Sequence, residues 1–462
     1  MGREGMKAPV IAEALARAVA AGRVRAMPDA LHETCERLLI DIAGLAVAAR
    51  GTDYVQAAIA SWEAQGCATA IGHVRALDSP GAAFVNGTAA HGEDFDDTFE
   101  GGPVHAGVVI VPALLAAAER HRIAGTDLLY GIAVGCEVMC RGSLVAPKRI
   151  HKAGFHPTAV LGAMGAAAGV AAALRVDEAT FVSAQGIAGS MASGIIEYLA
   201  EGTWTKRMHP GWAAQAGIRA VELARAGFLG PRTVWEGAHG FLHGFAATTE
   251  GAWERLTGEF GERWVSETIA FKPYACGTMI HPYIDCARRL ANDAARPLDP
   301  SAIAAIECDT AEGYVHRLWE PLEAKRRPPN AYAAKFSIPY CVAYAILHGT
   351  AGLEAFTDDS ARDAATGTLA AKVGYRVDPA NPYPDEYTGH VKVTMNDGRV
   401  LEERQPHLRG GHHEPLTRAE IEDKFRGNCA YGGWSVERGS QWLRFARGAF
   451  GASAIDLTPF RG

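Results

Sequence analysis

The stretch TAVLGAMGAAAGVAAAL, residues 158–174, decides the fold class of this chain. It is uncharged and rich in alanine and glycine, and it is too short and too weakly apolar to span a bilayer comfortably. Few of its side chains are large, so no single face stands out as the one that packs on a core. The pattern predicts a helix that is buried on all sides, in which Gly165 and Gly169 let neighbouring backbones approach closely.

Helical patterns extend outward from this stretch through the N-terminal half. Apolar residues recur at helical spacing over 31–49, 112–120, 127–139, 177–192 and 212–226. Near Ala270 the pattern changes, and strand-like segments follow at 303–310, 373–377, 390–395 and 399–403. The last two flank Asn396-Asp397-Gly398, which is a hairpin signal. Beyond Pro415, Thr417 and Glu420 form a capping box, which predicts a return to helix.

These patterns predict a mainly α protein with two domains. A large all-helical domain is built from both chain ends, residues 1–269 and 406–462, and a smaller α+β lid domain is inserted at residues 270–405. Two domains imply a cleft, which is a preferred place for a small-molecule site.

Composition excludes several classes of protein. The 462 residues include 45 Lys and Arg against 52 Asp and Glu, a net charge of −7, which argues against a nucleic-acid partner. The hydrophobic share of 48% and charged share of 21% are those of a soluble globular protein, and the N-terminus lacks the apolar core of a signal peptide. We therefore expect no membrane partner. Nine scattered cysteines indicate reduced thiols in a cytoplasmic protein.

The densest polar segment is HGEDFDDTFE, residues 91–100, with five carboxylates. Three interpretations compete: a solvated acidic turn, a Mg²⁺ site of the D-D-x-x-E type found in terpene synthases, and metal-free acid–base catalysis with Thr98 and His105 nearby. The magnesium interpretation requires a second motif. The segment that matches it most nearly, Asp177 with Thr180, has Ala184 where a Glu is needed. We therefore favour the metal-free interpretation over a metal site.

Three further motifs place polar residues in apolar surroundings. GFHPT at 154–158 sets His156 in a turn before the alanine-rich helix. TWTKRMHPGW at 203–212 places Lys206 and Arg207 in a loop that enters a helix, where cations and backbone N–H groups can bind a carboxylate. FKPYACGTMIHP at 271–282 adds Lys272 and His281 at the inferred domain junction.

These four motifs occur in the same order as in the MmgE/PrpD family, which the chain resembles over nearly its whole length. That family contains 2-methylcitrate dehydratase, cis-aconitate decarboxylase and iminodisuccinate epimerase. The resemblance implies a homodimer with no metal or organic cofactor. It implies that the catalytic residues are Asp94, Thr98, His105, His156, Lys206, His281 and Tyr340, with Tyr344 as the alternative to Tyr340. We expect Lys206, Arg207, Lys272 and His281 to bind the substrate, with Arg207 and Lys272 chosen for their charge and their place in the motifs.

The chemistry shared by the family is proton transfer at a carbon next to a carboxylate, which requires stabilisation of an enediolate. The leading expectation is a metal-free lyase that dehydrates a hydroxylated di- or tricarboxylate resembling citrate or 2-methylcitrate. Decarboxylation of a cis-aconitate-like acid and epimerisation of an iminodisuccinate-like acid are the alternatives. Between Thr98 and His105 the sequence departs from that of cis-aconitate decarboxylases. It has Glu100 there, whose negative charge disfavours a tricarboxylate. A non-catalytic carboxylate-binding protein is the alternative of another class, and the number of proton-transfer groups argues against it.

Overall fold

The computed structural model describes residues 10–293, 295 and 298–462. Within them the chain is mainly α-helical, which confirms the predicted fold class. It divides into two compact units. The helical unit comprises residues 10–92, 96–269 and 418–462, and the mixed unit comprises residues 93–95 and 270–417.

In the helical unit, helix follows helix from the N-terminal side. The helices are α1 (Ile11–Gly22), α2 (Asp29–Ala49), α3 (Asp53–Ala60), α4 (Ser79–His91), α5 (Gly107–His121), α6 (Gly125–Val145), α7 (Arg149–Lys152), α8 (Pro157–Ala173), α9 (Glu178–Met191), α10 (Tyr198–Glu201), α11 (Thr205–Arg225), α12 (Phe241–Ala246) and α13 (Trp253–Thr257). Three two-residue strands, β1 (Ala68–Thr69), β2 (Ala76–Leu77) and β3 (Thr98–Phe99), lie between them. β1 pairs with β2 in an antiparallel ribbon.

Helix α8 is buried on every face, as its composition predicts. Its glycines contact α6 directly: a Cβ added to Gly165 would lie 2.4 Å from Cγ of Met139, and one added to Gly169 would lie 2.6 Å from the carbonyl oxygen of Gly131. Both distances are shorter than a Cβ atom tolerates. The role of these two glycines in close packing is therefore confirmed.

Helix α6 is itself long and apolar. Among the described residues it is the helix with the length and composition to cross a membrane, but its most apolar window is 89% buried within the protein. A helix in the core of a globular protein has the same length, composition and burial.

Helices α4 and α11 cross at a pair of glycines. A Cβ on Gly87 would lie 2.7 Å from Cα of Gly211, and one on Gly211 would lie 2.1 Å from the carbonyl oxygen of Phe84. Because no side chain separates the two backbones here, the last turns of α4 lie close to the first turns of α11. This contact positions the polar residues at those two helix ends.

The mixed unit combines helices with one four-stranded sheet. After β4 (Ile269–Ala270), which spans the division between the units, its elements are α14 (His281–Asn292), β5 (Ile303–Thr310), α15 (Glu312–Tyr314), α16 (Leu322–Arg326), α17 (Ala331–Ala334), α18 (Ile338–His348), α19 (Asp358–Ala361), α20 (Ala364–Ala370), β6 (Val373–Val377), β7 (Gly389–Met395) and β8 (Val400–Gln405). The strand order is β6-β5-β7-β8. β5 pairs in parallel with β6, and the other pairs are antiparallel. Gly398, with φ of 86°, turns the predicted hairpin between β7 and β8.

The chain returns to the helical unit through α21 (Arg418–Tyr431) and α22 (Val436–Gly448). Nζ of Lys424 on α21 lies 2.7 Å from Oδ1 of Asp41 on α2, and both side chains are buried. The return comes at Arg418, later than the expected residue 406, because residues 406–417 are irregular and pack with the mixed unit. All nine cysteines are free thiols, and Cys67 is the exposed one.

Candidate active site

The acidic segment after α4 is buried, not solvated. Asp94, Asp96 and Asp97 are each at most 5% exposed, so the interpretation of this segment as a solvated acidic turn is wrong. Asp97 accepts a hydrogen bond from the backbone N–H of Gly107 at 2.9 Å, at the first residue of α5. A carboxylate at a helix N-terminus is stabilised by the unpaired N–H groups there. Thr98, also buried, begins the short strand β3.

Four histidines of the helical unit form one cluster. His91 ends α4, His105 precedes α5, His156 precedes α8, and His209 lies on α11. The ring of His91 stacks on that of His156 with centroids 5.7 Å apart, and lies 5.2 Å from the ring of His105. Nδ1 of His156 lies 3.1 Å from Nδ1 of His209. The predicted residues His105 and His156 therefore lie together, and His91 and His209 join them.

His91 and His105 are both held by the acidic segment, and Oδ2 of Asp96 lies 3.5 Å from Nδ1 of His105 as well. Nδ1 of His91 lies 2.7 Å from Oδ2 of Asp96, and Nδ1 of His105 lies 2.6 Å from the carbonyl oxygen of Asp97. A carbonyl only accepts, so Nδ1 of His105 carries a proton and Nε2 is the nitrogen left for proton transfer. The backbone N–H of His105 also donates to Oγ1 of Thr158, at 3.1 Å. The bond at Nδ1 orients the ring, and the bond to Thr158 holds the backbone that carries it.

Two histidines of the cluster are held in the neutral form. Burial, followed by the charges of His91, His209 and Lys206, lowers the pKa of His156 well below its usual value. Burial and the charges of His91 and Lys206 lower the pKa of His209 to about 4. Both imidazoles are therefore uncharged at neutral pH, and the ammonium of Lys206 is close enough to act on both.

Lys206 and Arg207 do not lie in a loop, as the sequence indicated, but in the first turn of α11. The helix runs through Pro210, and the Gly87–Gly211 contact holds this segment against α4. The first turn of a helix has unpaired N–H groups and a positive dipole end, which favour an anion. Arg207 is held separately, with its guanidinium carbon 4.5 Å from the centre of the Tyr54 ring.

Asp177 and Thr180, the pair that most nearly matches a second magnesium motif, have another role. Oδ1 of Asp177 accepts a hydrogen bond from the backbone N–H of Thr180 at 2.8 Å, which caps the N-terminus of α9. Capping accounts for this pair of residues without a metal.

In the mixed unit, two buried lysines hold the segment that contains Asp94. Nζ of Lys272 donates to the carbonyl oxygen of Asp94 at 3.0 Å. Nζ of Lys335 donates to the carbonyl oxygens of Glu93 and Ala275, at 2.7 and 3.1 Å, and lies 3.1 Å from Oε2 of Glu93. Asp94 has a φ of 54°, a left-handed conformation that is uncommon for residues other than glycine, although aspartate adopts it more readily than most. The two lysines bind the carbonyl oxygens on either side of its backbone nitrogen.

His281 begins α14 and is fully buried. Its Nε2 lies 3.2 Å from the carbonyl oxygen of Cys276, and its Nδ1 has no hydrogen-bond partner among the described residues. Burial raises the pKa of the Cys276 thiol, but the hydrogen bond from Cys341 and the charges of His281 and Lys272 outweigh it and lower that pKa to about 6. This thiol is therefore in an electropositive environment.

Tyr340 lies on α18, and its hydroxyl donates to the carbonyl oxygen of Ala355 at 2.6 Å. Burial raises the pKa of this hydroxyl. Tyr344 lies one helical turn further, with its ring 5.9 Å from that of Tyr340. The predicted residues thus form two groups: Thr98, His105, His156, Lys206 and Arg207 in the helical unit, and Asp94, Lys272, His281 and Tyr340 in the mixed unit.

Sequence reasoning missed four residues of these groups, namely His91, His209, Lys335 and Cys276. His91 and His209 stand inside the motifs that were singled out, but nothing in their spacing shows that two segments over a hundred residues apart meet. The signal was that each of three motifs, at residues 91–100, 154–158 and 203–212, contains a histidine. Lys335 gave no signal, because a lysine is seldom buried and its partners are backbone carbonyls.

Comparisons with known proteins agree with these motifs. The chain matches the MmgE/PrpD N-terminal domain over residues 13–253 and the MmgE/PrpD C-terminal domain over residues 274–440. It is 27% identical over 423 residues to the cis-aconitate decarboxylase-like protein oryM of Aspergillus oryzae, covering 87% of this chain and 86% of that protein. It is 29% identical over 365 residues to cis-aconitate decarboxylase of Mus musculus, covering 76% and 71%. It is 27% identical over 431 residues to cis-aconitate decarboxylase of Aspergillus terreus, covering 87% and 85%. The two domain matches together cover most of the chain, and the protein belongs to the MmgE/PrpD family of enzymes.

Proposed function

We propose that this protein is a lyase that acts on a small di- or tricarboxylate at a carbon next to a carboxylate. The observation that carries the proposal is the buried histidine cluster of the helical unit, with Lys206 beside it. Removing or adding a proton at such a carbon needs positioned imidazoles and a cation that stabilises the enediolate. The cluster supplies the first, and Lys206 at the N-terminus of α11 supplies the second.

The imidazoles have different tasks in this proposal. His105 presents Nε2 for proton transfer, because its Nδ1–H is occupied by the carbonyl of Asp97. His91 pairs with the carboxylate of Asp96, which stabilises the ring when it carries a second proton. One group can therefore act as a base while another acts as an acid. His156 and His209, which are neutral, can donate hydrogen bonds to substrate without adding charge.

Among lyase reactions we place decarboxylation of a cis-aconitate-like acid first, since the relatives that align over most of the chain are named for it. In that reaction the C–C bond to the departing carboxylate breaks and its electron pair forms the new double bond, while the carbon at the far end of the old double bond accepts one proton. Dehydration of a citrate-like or 2-methylcitrate-like acid is the second candidate. It is favoured by the presence of two differently held imidazoles, since it needs both a base for the C–H and an acid for the hydroxide.

The residues of the mixed unit have supporting roles in the proposal. We assign Lys272 and His281 to binding of substrate carboxylates, and Asp94 and Tyr340 to proton transfer or orientation. Lys272 and His281 are both buried and chemically suited to an anion. Each assignment is tested by the kinetic constants of its conservative variant.

We also propose that the protein is a homodimer that works in the cytoplasm without a metal or organic cofactor. The resemblance to the family supports the dimer, and the eight buried free thiols support a reducing compartment. Light scattering coupled to gel filtration should give twice the chain mass of 49.0 kDa. A mass of one chain at micromolar concentration would contradict the dimer.

The function is tested by incubating the protein in D₂O with citrate, 2-methylcitrate, cis-aconitate and iminodisuccinate, followed by NMR. Release of CO₂ with a deuterated unsaturated dicarboxylate identifies the decarboxylase, and appearance of an alkene from a hydroxy acid identifies the dehydratase. Deuterium exchange at an α-carbon without net product indicates an epimerase, which would overturn the assignment as a lyase.

The matched variants for this test are His105→Gln in the cluster and His239→Gln, an exposed histidine elsewhere in the helical unit. We expect turnover to be lost in the first and kept in the second. Binding of one of these acids by the wild type, with neither turnover nor deuterium exchange, would mean that the protein is a non-catalytic carboxylate binder.

A further inference from the structure

Three metal-ligand side chains, none of which is used in the proposed reaction, come together in the mixed unit. They are Glu386, His407 and His413, and their donor atoms lie within 4.8 Å of one another. Nδ1 of His407 lies 3.6 Å from Oε2 of Glu386, and Nε2 of His413 lies 3.6 Å from Oε1 of the same carboxylate. The two imidazole rings are tilted by 33°, with centroids 4.7 Å apart.

These distances do not describe hydrogen bonds. A nitrogen and an oxygen at 3.6 Å are too far apart for one, although an imidazole beside a carboxylate forms one readily. Two ligands bound to the same tetrahedral zinc ion at 2.0–2.2 Å are separated by about 3.4 Å. The distance of 3.6 Å from the Glu386 carboxylate to each imidazole is therefore close to the distance between two ligands of one zinc ion. In addition, Nδ1 of His407 is buried without a hydrogen-bond partner among the described residues.

The register of the sheet explains why the three residues meet. Gly389, the first residue of β7, pairs with Gln405, the last residue of β8. The segment before β7, which carries Glu386, therefore runs beside the segment after β8, which carries His407. The hairpin turn at Asp397-Gly398 closes the other end of this strand pair, so the open end is the one where the three side chains lie.

A neighbouring network fixes the backbone of this open end. Nε2 of Gln405 donates to the carbonyl oxygen of His407 at 2.9 Å and to Oε2 of Glu414 at 2.6 Å. The backbone N–H of Gly410 donates to the carbonyl oxygen of Glu414 at 2.7 Å, which turns the chain back and returns His413 toward His407. Groups that orient metal ligands from outside the coordination sphere strengthen binding.

We propose that Glu386, His407 and His413 form a zinc clasp, a divalent transition-metal site that ties together the open end of the β7–β8 hairpin. Two imidazoles and one carboxylate are a ligand set of zinc enzymes and suit Zn²⁺ or a neighbouring ion such as Cu²⁺. Mg²⁺ and Ca²⁺ do not fit, because they take oxygen ligands. The clasp is structural and has no part in turnover. It is independent of the proposed function.

The test is equilibrium dialysis of the full chain against Zn²⁺, together with thermal unfolding with and without the ion. We expect one tight zinc per chain and a higher unfolding temperature in its presence. Glu386→Gln and His413→Gln should each weaken zinc binding at least about tenfold and abolish the thermal shift. His413 is largely exposed, with 53% of its side chain accessible, so its loss leaves the fold of the zinc-free protein intact.

Two control variants separate the clasp from other zinc ligands. His239→Gln removes an exposed histidine beside His243 in the helical unit, and Cys67→Ser removes the exposed thiol. Both should bind zinc as the wild type does. Substitution by Co²⁺ should give the visible absorption bands of a four-coordinate ion in the wild type and not in His413→Gln. Equal zinc affinity in the wild type and His413→Gln, or loss of the site in Cys67→Ser, would overturn the proposal.

Discussion

Nδ1 of His91 lies 2.7 Å from Oδ2 of Asp96, and neither side chain has any exposed area. Nε2 of His91 is also buried and has no hydrogen-bond partner among the described residues. A carboxylate on one ring nitrogen fixes the tautomer and stabilises the protonated ring, which leaves the other nitrogen suited to proton transfer. The ring also stacks on His156, a predicted catalytic residue. This pair is therefore central to the proposed chemistry.

The first prediction concerns Asp96→Asn. The amide is nearly the same shape as the carboxylate but cannot stabilise a protonated His91, so we expect kcat to fall by roughly two orders of magnitude or more. Thermal unfolding should change little, because a neutral His91 can still donate to the amide oxygen. Steady-state kinetics with the acid that the protein turns over provides the measurement. Nearly unchanged kcat would mean that the pair only holds the fold.

The second prediction concerns stability in acid. His156 and His209 have lowered pKa values in the folded protein and ordinary values near 6.5 when unfolded. Between about pH 6.5 and pH 4 the unfolded chain therefore binds more protons, and the free energy of unfolding falls as the pH falls. Each of the two histidines contributes up to about 1.4 kcal/mol per pH unit in that window. Urea unfolding at a series of pH values gives the slope.

His209→Gln is the control for that slope. It removes one of the two shifted groups, so the variant should lose less stability than the wild type between pH 6.5 and pH 4. The same acid dependence in both proteins would show that other groups cause it.

The third prediction concerns Lys335→Met. The methionine fills a similar volume but leaves the carbonyl oxygens of Glu93 and Ala275 without their buried donor. We expect a loss of about 2–4 kcal/mol in the free energy of unfolding, measured by urea denaturation. Lys152→Met, at an exposed position of the helical unit, should change it by less than about 0.5 kcal/mol. Similar small effects of the two substitutions would refute the anchoring role of Lys335.

The fourth prediction concerns chelation. Asp96 pairs with His91 and Asp97 accepts from Gly107, so both aspartates of the suggested magnesium motif are engaged by protein donors. Turnover should therefore be the same before and after treatment with EDTA, including after loss of zinc from the clasp. If turnover were lost and Mg²⁺ or Mn²⁺ restored it, the result would support a metal site in the acidic segment.

Much of the fold follows from sequence pattern. β5 and β6 have the predicted bounds, and the hairpin between β7 and β8 lies where Asp397-Gly398 predicts it. These elements carry local signals: alternation, turn residues and composition. Helix α4 was not among the predicted helices, because all its residues are buried and small residues dominate it, so it has no amphipathic face. The helix predicted over 212–226 begins later than α11 does, because the Gly87–Gly211 contact that holds the first turns of α11 against α4 is tertiary and has no local signal.

The candidate site also has one part that the sequence predicts and one part that it does not. His105, His156 and Lys206 stand in motifs whose chemistry can be read from residue types, and the structure brings the two histidines together. The pairing of His156 with His209 and of His91 with Asp96 depends on how α4, α8 and α11 pack. Such contacts join segments that are distant in sequence, so they produce no periodic pattern from which a single sequence could predict them.

The most direct test of the proposed chemistry is kcat/KM of Lys206→Ala beside that of Arg207→Ala. Both substitutions remove a cation from the first turn of α11, but only the charge of Lys206 lowers the pKa values of His156 and His209, whereas Arg207 stacks on Tyr54. We predict that Lys206→Ala lowers kcat/KM by roughly two orders of magnitude or more, about 3 kcal/mol of transition-state stabilisation, with little change in thermal stability. Arg207→Ala should have a much smaller effect. Equal, small losses in both variants would contradict the assignment of Lys206 as the residue that stabilises the enediolate.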